Sequence, residues 1–150
     1  MPRLTPAFTV RATVEEAWEF LTDMDRVGSC VPGCRVTRIG PDRYEWRLSA
    51  RVGPLSRTFR IVTRVVAQDD ARHHAEFTGV GEELETRGVV DLTPISDGTT
   101  AVRFRLAIQA VGPLGSAVGA IIHARVDGYQ RAFVASVRDA LESRVLARAG

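Results

Sequence analysis

From Arg35 to about Ala110 the sequence reads at a two-residue period, and after Gly112-Pro113 it switches to a helical period that lasts nearly to the C-terminus. That switch decides the fold class. Alternation describes strands with one apolar face, and the long helical stretch is the one element able to cover such a sheet. Tyr44, Trp46, Leu48, Ala50 and Val52 alternate with Glu45, Arg47, Ser49 and Arg51, and Gly53-Pro54 turns the chain into a second strand carrying Phe59, Ile61, Thr63 and Val65. Further strands are predicted at 72–79 with Ala75 and Phe77, at 84–93 with Val90 and Leu92, and at 99–110 with Val102, Phe104, Leu106 and Ile108. The separators Gln68-Asp69-Asp70, Gly81-Glu82-Glu83 and Ser96-Asp97-Gly98 are short and polar, so neighbouring strands should pair antiparallel as a meander. On the final helix, about 30 residues long, Val118, Ile122, Val126, Tyr129, Phe133, Val137 and Leu141 form one apolar stripe.

Ahead of the sheet, 5–12 reads as a short strand with Phe8 and Val10, and Thr13 precedes Val14-Glu15-Glu16 in the pattern of a capping box. The helix it opens places Val14, Ala17, Trp18 and Leu21 at helical spacing. A second short helical turn follows over Met24 to Val27, and Pro32-Gly33 ends the section at a bend where Gly33 suits a positive φ. The 150 residues make one domain, and 45% hydrophobic with 25% charged residues is the balance of a soluble protein with a folded core. Twenty basic residues against eighteen acidic give a formal +2. All the basic residues are arginines, which codon bias in the source genome explains most simply, although an arginine-coated surface would also suit anionic headgroups. They are scattered singly without a stripe or tail, which argues against nucleic acid as a partner. The N-terminus lacks a basic segment followed by an apolar stretch, so a cytoplasmic location is expected. The longest nearly unbroken apolar run, Ala117 to Ile122, is too short to span a membrane. Val-Gly-Pro-Leu at 52–55 and again at 111–114 reads as two similar strand exits, since nothing around the copies matches.

Catalytic and metal-binding sets are hard to assemble from this sequence. His73 and His74 are adjacent on a predicted strand and so face opposite ways, while His123 sits beside the apolar stripe, within reach of a cavity rim. No Gly-rich phosphate loop, His-Glu-x-x-His helix or acidic metal cluster occurs. Glu82, Glu83 and Glu85 are either a partner or metal site or a solvated hairpin, the hairpin being the plainer reading. Cys30 and Cys34, four apart with no histidine nearby, read as free thiols in a packed turn, so neither a metal nor a cofactor is expected. The inward aromatics remain. A curved sheet gripping one helix leaves an internal space, and the side chains expected to line it are Trp46, Leu48, Phe59, Ile61, Phe77, Val90, Phe104, Leu106, Ile122, Val126 and Tyr129. Gly79, Gly88 and Thr63, on nominally inward positions, would enlarge that space.

Phe8-Thr9-Val10 leading into Val14-Glu15-Glu16-Ala17-Trp18-Glu19-Phe20-Leu21-Thr22-Asp23, then Cys30-Val31-Pro32-Gly33-Cys34, then Val52-Gly53-Pro54-Leu55 with Phe59, and finally Val111-Gly112-Pro113-Leu114-Gly115, resemble the carbon monoxide dehydrogenase CoxG branch of the START-like (SRPBCC) superfamily. The resemblance spans nearly the whole chain. It implies an α+β helix-grip fold, with about six to seven strands wrapped around the C-terminal helix and two short helices after the first strand. It also implies a non-catalytic accessory protein to a molybdenum hydroxylase, holding a hydrophobic small molecule such as a quinone or lipid, with transient contact at the inner face of the membrane. Some members continue into a hydrophobic tail, whereas this sequence stops at Arg148-Ala149-Gly150, so a permanent anchor is not expected. A polyketide cyclase or aromatase would share the fold and would need polar groups inside, for which Tyr129, Arg125 and Arg47 are the candidates. A pure interaction protein with a filled core is the third reading.

Overall fold

The computed structural model describes residues 3–52, 54–113 and 115–149. In chain order the elements are β1 (Arg3–Leu4), β2 (Ala7–Val10), α1 (Val14–Leu21), α2 (Met24–Ser29), β3 (Cys34–Gly40), β4 (Arg43–Val52), β5 (Leu55–Asp69), β6 (His74–Val80), β7 (Leu84–Ser96), β8 (Thr99–Ala110) and α3 (Gly115–Ala149). The strands form one eight-stranded sheet in the order β1-β8-β7-β6-β5-β4-β3, with β2 also on β8 and every pairing antiparallel. This is the START-like helix-grip arrangement: a curved sheet holding one long helix, with two short helices inserted after the first strands.

The extra strand, β1, lies ahead of the segment expected at 5–12, and within that segment only Ala7–Val10 forms a strand, with Pro6 between the two. β1 and β2 both lie on β8, and Pro6, which has no N–H to give, contributes its carbonyl to Phe104 N at 3.0 Å. A second correction falls at the start of β6. His73, expected within a strand, lies in the preceding turn at φ 53°, its ring edge-on to Trp18 at 5.5 Å, so the strand begins at His74. The expected turn residue Gly53, and Leu114 of the second Val-Gly-Pro-Leu copy, lie outside the described residues.

The capping box at Thr13 forms in full: its hydroxyl accepts from Glu16 N and the Glu16 carboxylate accepts from Thr13 N, both at 3.1 Å. α1 can then turn Ala17, Trp18, Phe20 and Leu21 into the core. Gly33 takes φ 71°, and its carbonyl accepts from Ser49 N, which folds the α2–β3 bend onto β4. α3 runs 35 residues. It is tied to the N-terminal strands by Gln130, which accepts from Thr5 N at 2.8 Å, and by Arg138, whose guanidinium lies over the Phe8 ring and donates to Thr9 O at 3.0 Å.

Two apolar clusters result. The larger joins α1, β2, β7 and β8 to Val137 and Leu141 of α3, and the smaller gathers Phe59, Ile61, Leu84 and Val118.

Candidate functional site

Between the two clusters the sheet and α3 enclose a cavity of about 250 Å³. β4 supplies Trp46 and Leu48 to its wall, β5 Phe59 and Ile61, β6 Phe77, β7 Val90, β8 Phe104 and Leu106, and α3 Ile122, Val126 and Tyr129. All eleven side chains singled out from the sequence therefore border one space. They meet because inward positions on paired strands stand side by side: Trp46 lies opposite Ile61 and Leu48 opposite Phe59 across β4 and β5, while Val90 lies opposite Phe104 across β7 and β8. α3 completes the wall with residues one turn apart.

The polar groups on this wall are few and mostly satisfied. Trp46 Nε1 donates to Thr63 Oγ1 at 2.9 Å, and the threonine hydroxyl reaches the Tyr44 carbonyl at 3.4 Å. Among the described residues no buried side-chain nitrogen or oxygen lacks a partner. Tyr129 and Arg125 both reach the wall from α3, Tyr129 half-buried and Arg125 exposed. Four residues apart, they share one helix face. Arg47 does not join them. It points to the opposite face of the sheet and pairs with Glu45 at 2.8 Å, because odd positions of β4 face outward.

Several other expectations need correction. Gly79 and Gly88 do not enlarge the space: neither is on the wall, because a side chain fills the room each leaves. The Phe77 ring lies directly against Gly88, its cross-strand neighbour, and Ile61, Thr63 and Thr86 close around Gly79. His123 is exposed and takes no part in the wall. Cys34, expected in a packed turn, starts β3 and borders the cavity, where burial pushes its thiol up to about 11, so it stays neutral. Cys30 closes α2 and is also raised, chiefly by desolvation. Among the described residues no group of three or more His, Cys, Asp and Glu is placed to hold a metal ion.

The acidic hairpin is more than a solvated turn. Glu83 forms a two-pronged pair with Arg57 of β5, whose guanidinium also lies 6.0 Å from the Phe59 ring, so the hairpin is clasped to the wall. The Arg57 hydrogen bond holds the Glu83 carboxyl below its usual range. The wall residues that sequence reasoning missed include Leu21, Met24, Val27 and Val31, which close the space from the α2 side, besides Leu4 and Pro6 at the N-terminus and Leu84, Ile108 and Ile121 elsewhere. For the first four the signal was present. They keep helical spacing across the Thr22-Asp23 break, so one face continues from α1 through α2.

The sequence pattern of the carbon monoxide dehydrogenase CoxG family matches residues 7–142. The chain belongs to the CoxG family. Among solved structures, a conserved protein from Geobacillus kaustophilus is 20% identical with a TM-score of 0.79, covering 95% of this chain and 96% of that one. A START superfamily protein from Mycobacterium smegmatis superposes at TM-score 0.72 with 10% identity, over 94% of this chain and 97% of that one. The Zhui aromatase/cyclase from Streptomyces sp. R1128 is 18% identical at TM-score 0.66, over 96% and 95%. At such identities the likeness is one of fold alone: this CoxG family member has the fold seen in those START-like structures. No curated protein matches the chain. No helix among the described residues is long and apolar enough to cross a membrane.

Proposed function

We propose that this CoxG family protein holds a largely apolar small molecule, of quinone or lipid type, between its sheet and α3. In this reading it acts in the cytoplasm as a non-catalytic accessory to a molybdenum hydroxylase of the carbon monoxide dehydrogenase type. The observation that carries the reading is the cavity wall, on which Trp46, Phe59, Phe77, Phe104 and Phe133 stand with aliphatic neighbours and scarcely any free polar group. Membership in the family supplies the partner class. Volume limits the ligand. Since a 150 Å³ apolar cavity takes benzene, a space of about 250 Å³ takes about ten non-hydrogen atoms, so a head fits while a long tail stays outside or widens the site. Native mass spectrometry of protein purified from its own host, followed by organic extraction, tests this directly. A single apolar compound in near-stoichiometric amount is expected; bare protein that also fails to take up any quinone or lipid would refute the reading.

A second reading has specific support. Tyr129 and Arg125, one helical turn apart on the wall, could orient and protonate a substrate, and the fold is shared with the Zhui aromatase/cyclase and the di-domain ARO/CYC BexL. An enzyme of that kind should lose about 10²-fold or more in turnover on Tyr129→Phe, by the usual weight of a positioned acid or base. A carrier should keep its ligand content within about fivefold, the effect of one hydrogen bond.

A further inference from the structure

Among the described residues Arg125 is the one cation that borders the cavity, and because it is also exposed it stands at the mouth. Its neighbours three and four residues away on α3, Ile121, Ile122, Gly128 and Tyr129, are uncharged. A Cβ added at Gly128 would meet nothing within 4 Å, so the helix leaves room on that side. Tyr129 borders the cavity one turn on, and its hydroxyl has no hydrogen-bond partner among the described residues. Since no buried polar atom there lacks a partner, that hydroxyl is accessible. Other polar groups of the wall are spent within the protein. Thr63 accepts from the Trp46 indole, Thr22 Oγ1 donates to Trp18 O at 2.7 Å, Gln68 donates to Asp70 at 2.8 Å, and Thr86 lies over Gly79. The wall's carboxylate, Glu76, is at the far end, 3.6 Å from His74 Nε2. It flanks Ala75, which pairs with Val90 and through it with Phe104, the ring that meets Phe133. Phe133 lies about 12 Å beyond Arg125 along the helix.

An entirely apolar occupant would be served as well by an aliphatic side chain at position 125, as it is at Ile121, Ile122 and Val126 on the same wall. Arginine adds a planar fork of donors that matches a carboxylate and gives a hydrocarbon nothing. A phosphate monoester would bring a second charge, for which the wall holds no second cation among the described residues. Resting on the cavity reading above, we propose that the occupant is a monocarboxylic acid. Its acid group sits at the mouth, on Arg125 and the Tyr129 hydroxyl, and its apolar body lies inside among Trp46, Phe59 and Ile122. The volume limits that body to about ten non-hydrogen atoms. The separation of Arg125 from Glu76 fixes the same orientation, since an acid group held at the mouth is kept away from the carboxylate at the far end.

The test is calorimetric titration of the whole protein, cleared of bound compound on an apolar resin, with octanoate, octanol and octylamine at neutral pH. The three share one tail and differ in the charge of the head. Octanoate should bind about tenfold more tightly than octanol, the low end for a hydrogen bond to a charged group, and octylamine should bind least. Arg125→Gln should weaken octanoate about tenfold and change octanol by less than about twofold, the unchanged octanol affinity showing that the fold is intact. Arg131→Gln removes the same charge from an exposed position of α3 off the wall and should leave the preference as it was. Val126→Trp should abolish binding of all three, which locates them in the cavity. Octanol bound as tightly as octanoate, a preference that survives Arg125→Gln, or octanoate binding that survives Val126→Trp would each overturn the proposal. The first of these leaves the cavity reading standing, because a neutral molecule is then held. Binding of none of the three overturns it as well, and the compound content of protein from its own host then decides the cavity reading separately.

Discussion

The apolar stripe of α3 is continuous in the sequence, yet its middle and its C-terminal end do different work. Val137 and Leu141 are 0% and 1% exposed, locked against α1, β2 and β8. Ile122, Val126 and Tyr129 obey the same period but are only half-buried, because the sheet curves away from them and leaves the cavity. Phe133 marks the seam: it borders the cavity and meets Phe104 edge-on at 5.2 Å. Periodicity reports which face of a helix is apolar. What stands opposite that face depends on the curvature of a sheet built from residues far away in the sequence.

The comparison predicts unequal costs. Leu141→Ala should lower stability by about 2–5 kcal/mol, as a large-to-small change in a filled core does, and leave bound apolar compound unchanged. Val126→Ala, facing space already open, should cost about 1 kcal/mol or less and alter ligand content instead. Chemical denaturation paired with extraction of bound compound checks both, and equal destabilisation by the two changes would erase the distinction between the regions.

Gly88 sharpens the boundary of the hollow region. Its missing side chain makes room for the Phe77 ring, so Gly88→Ala should displace a wall aromatic and cost about 1–3 kcal/mol by overpacking. Combining it with Phe77→Leu should recover part of that loss, a non-additivity that a double-mutant cycle reads directly. Additive costs would mean that the two do not share one space.

Filling the space is the gentler test. Val126→Trp should abolish uptake of apolar compound while changing stability by less than about 1.5 kcal/mol, since the new ring occupies volume that costs the fold little to fill. A variant that still loaded normally would place the ligand elsewhere.

These contrasts also mark how far the sequence could be read. Strands, the α3 stripe and the eleven wall residues were legible because alternation and helical spacing are local, and inward positions of one sheet converge whatever its register. The role of Gly88 was not, since it depends on Phe77 being its cross-strand partner. His73 left its expected strand for a tertiary reason, the Trp18 ring edge that holds the turn. Cys34 moved from turn to wall because β3 begins one residue after the Gly33 bend.

The smallest expected effect compares two ionic clasps, one at each end of the molecule, and its sign differs between them. At the filled end His74 Nδ1 bonds Asp91, with Glu76 at 3.6 Å from the other ring nitrogen and Arg105 at 3.8 Å from Asp91. The Asp91 bond raises the imidazole pKa, so this clasp contributes below the ordinary histidine range and is lost as pH rises through the folded value. At the hollow end Glu83, lowered by its bond to Arg57, contributes above the ordinary carboxylate range and is lost as pH falls through its folded value. Both clasps are exposed enough for solvent to screen them, so each should shift melting only slightly. Between the two ranges, near pH 5 to 6 by the ordinary carboxylate and histidine values, both hold. Asp91→Asn should therefore flatten the decline in melting temperature on the alkaline side alone. Arg57→Gln should flatten the decline on the acid side and, by freeing the hairpin over Phe59, speed exchange of the apolar compound. Identical pH profiles for the two variants would show that the ends are not independent.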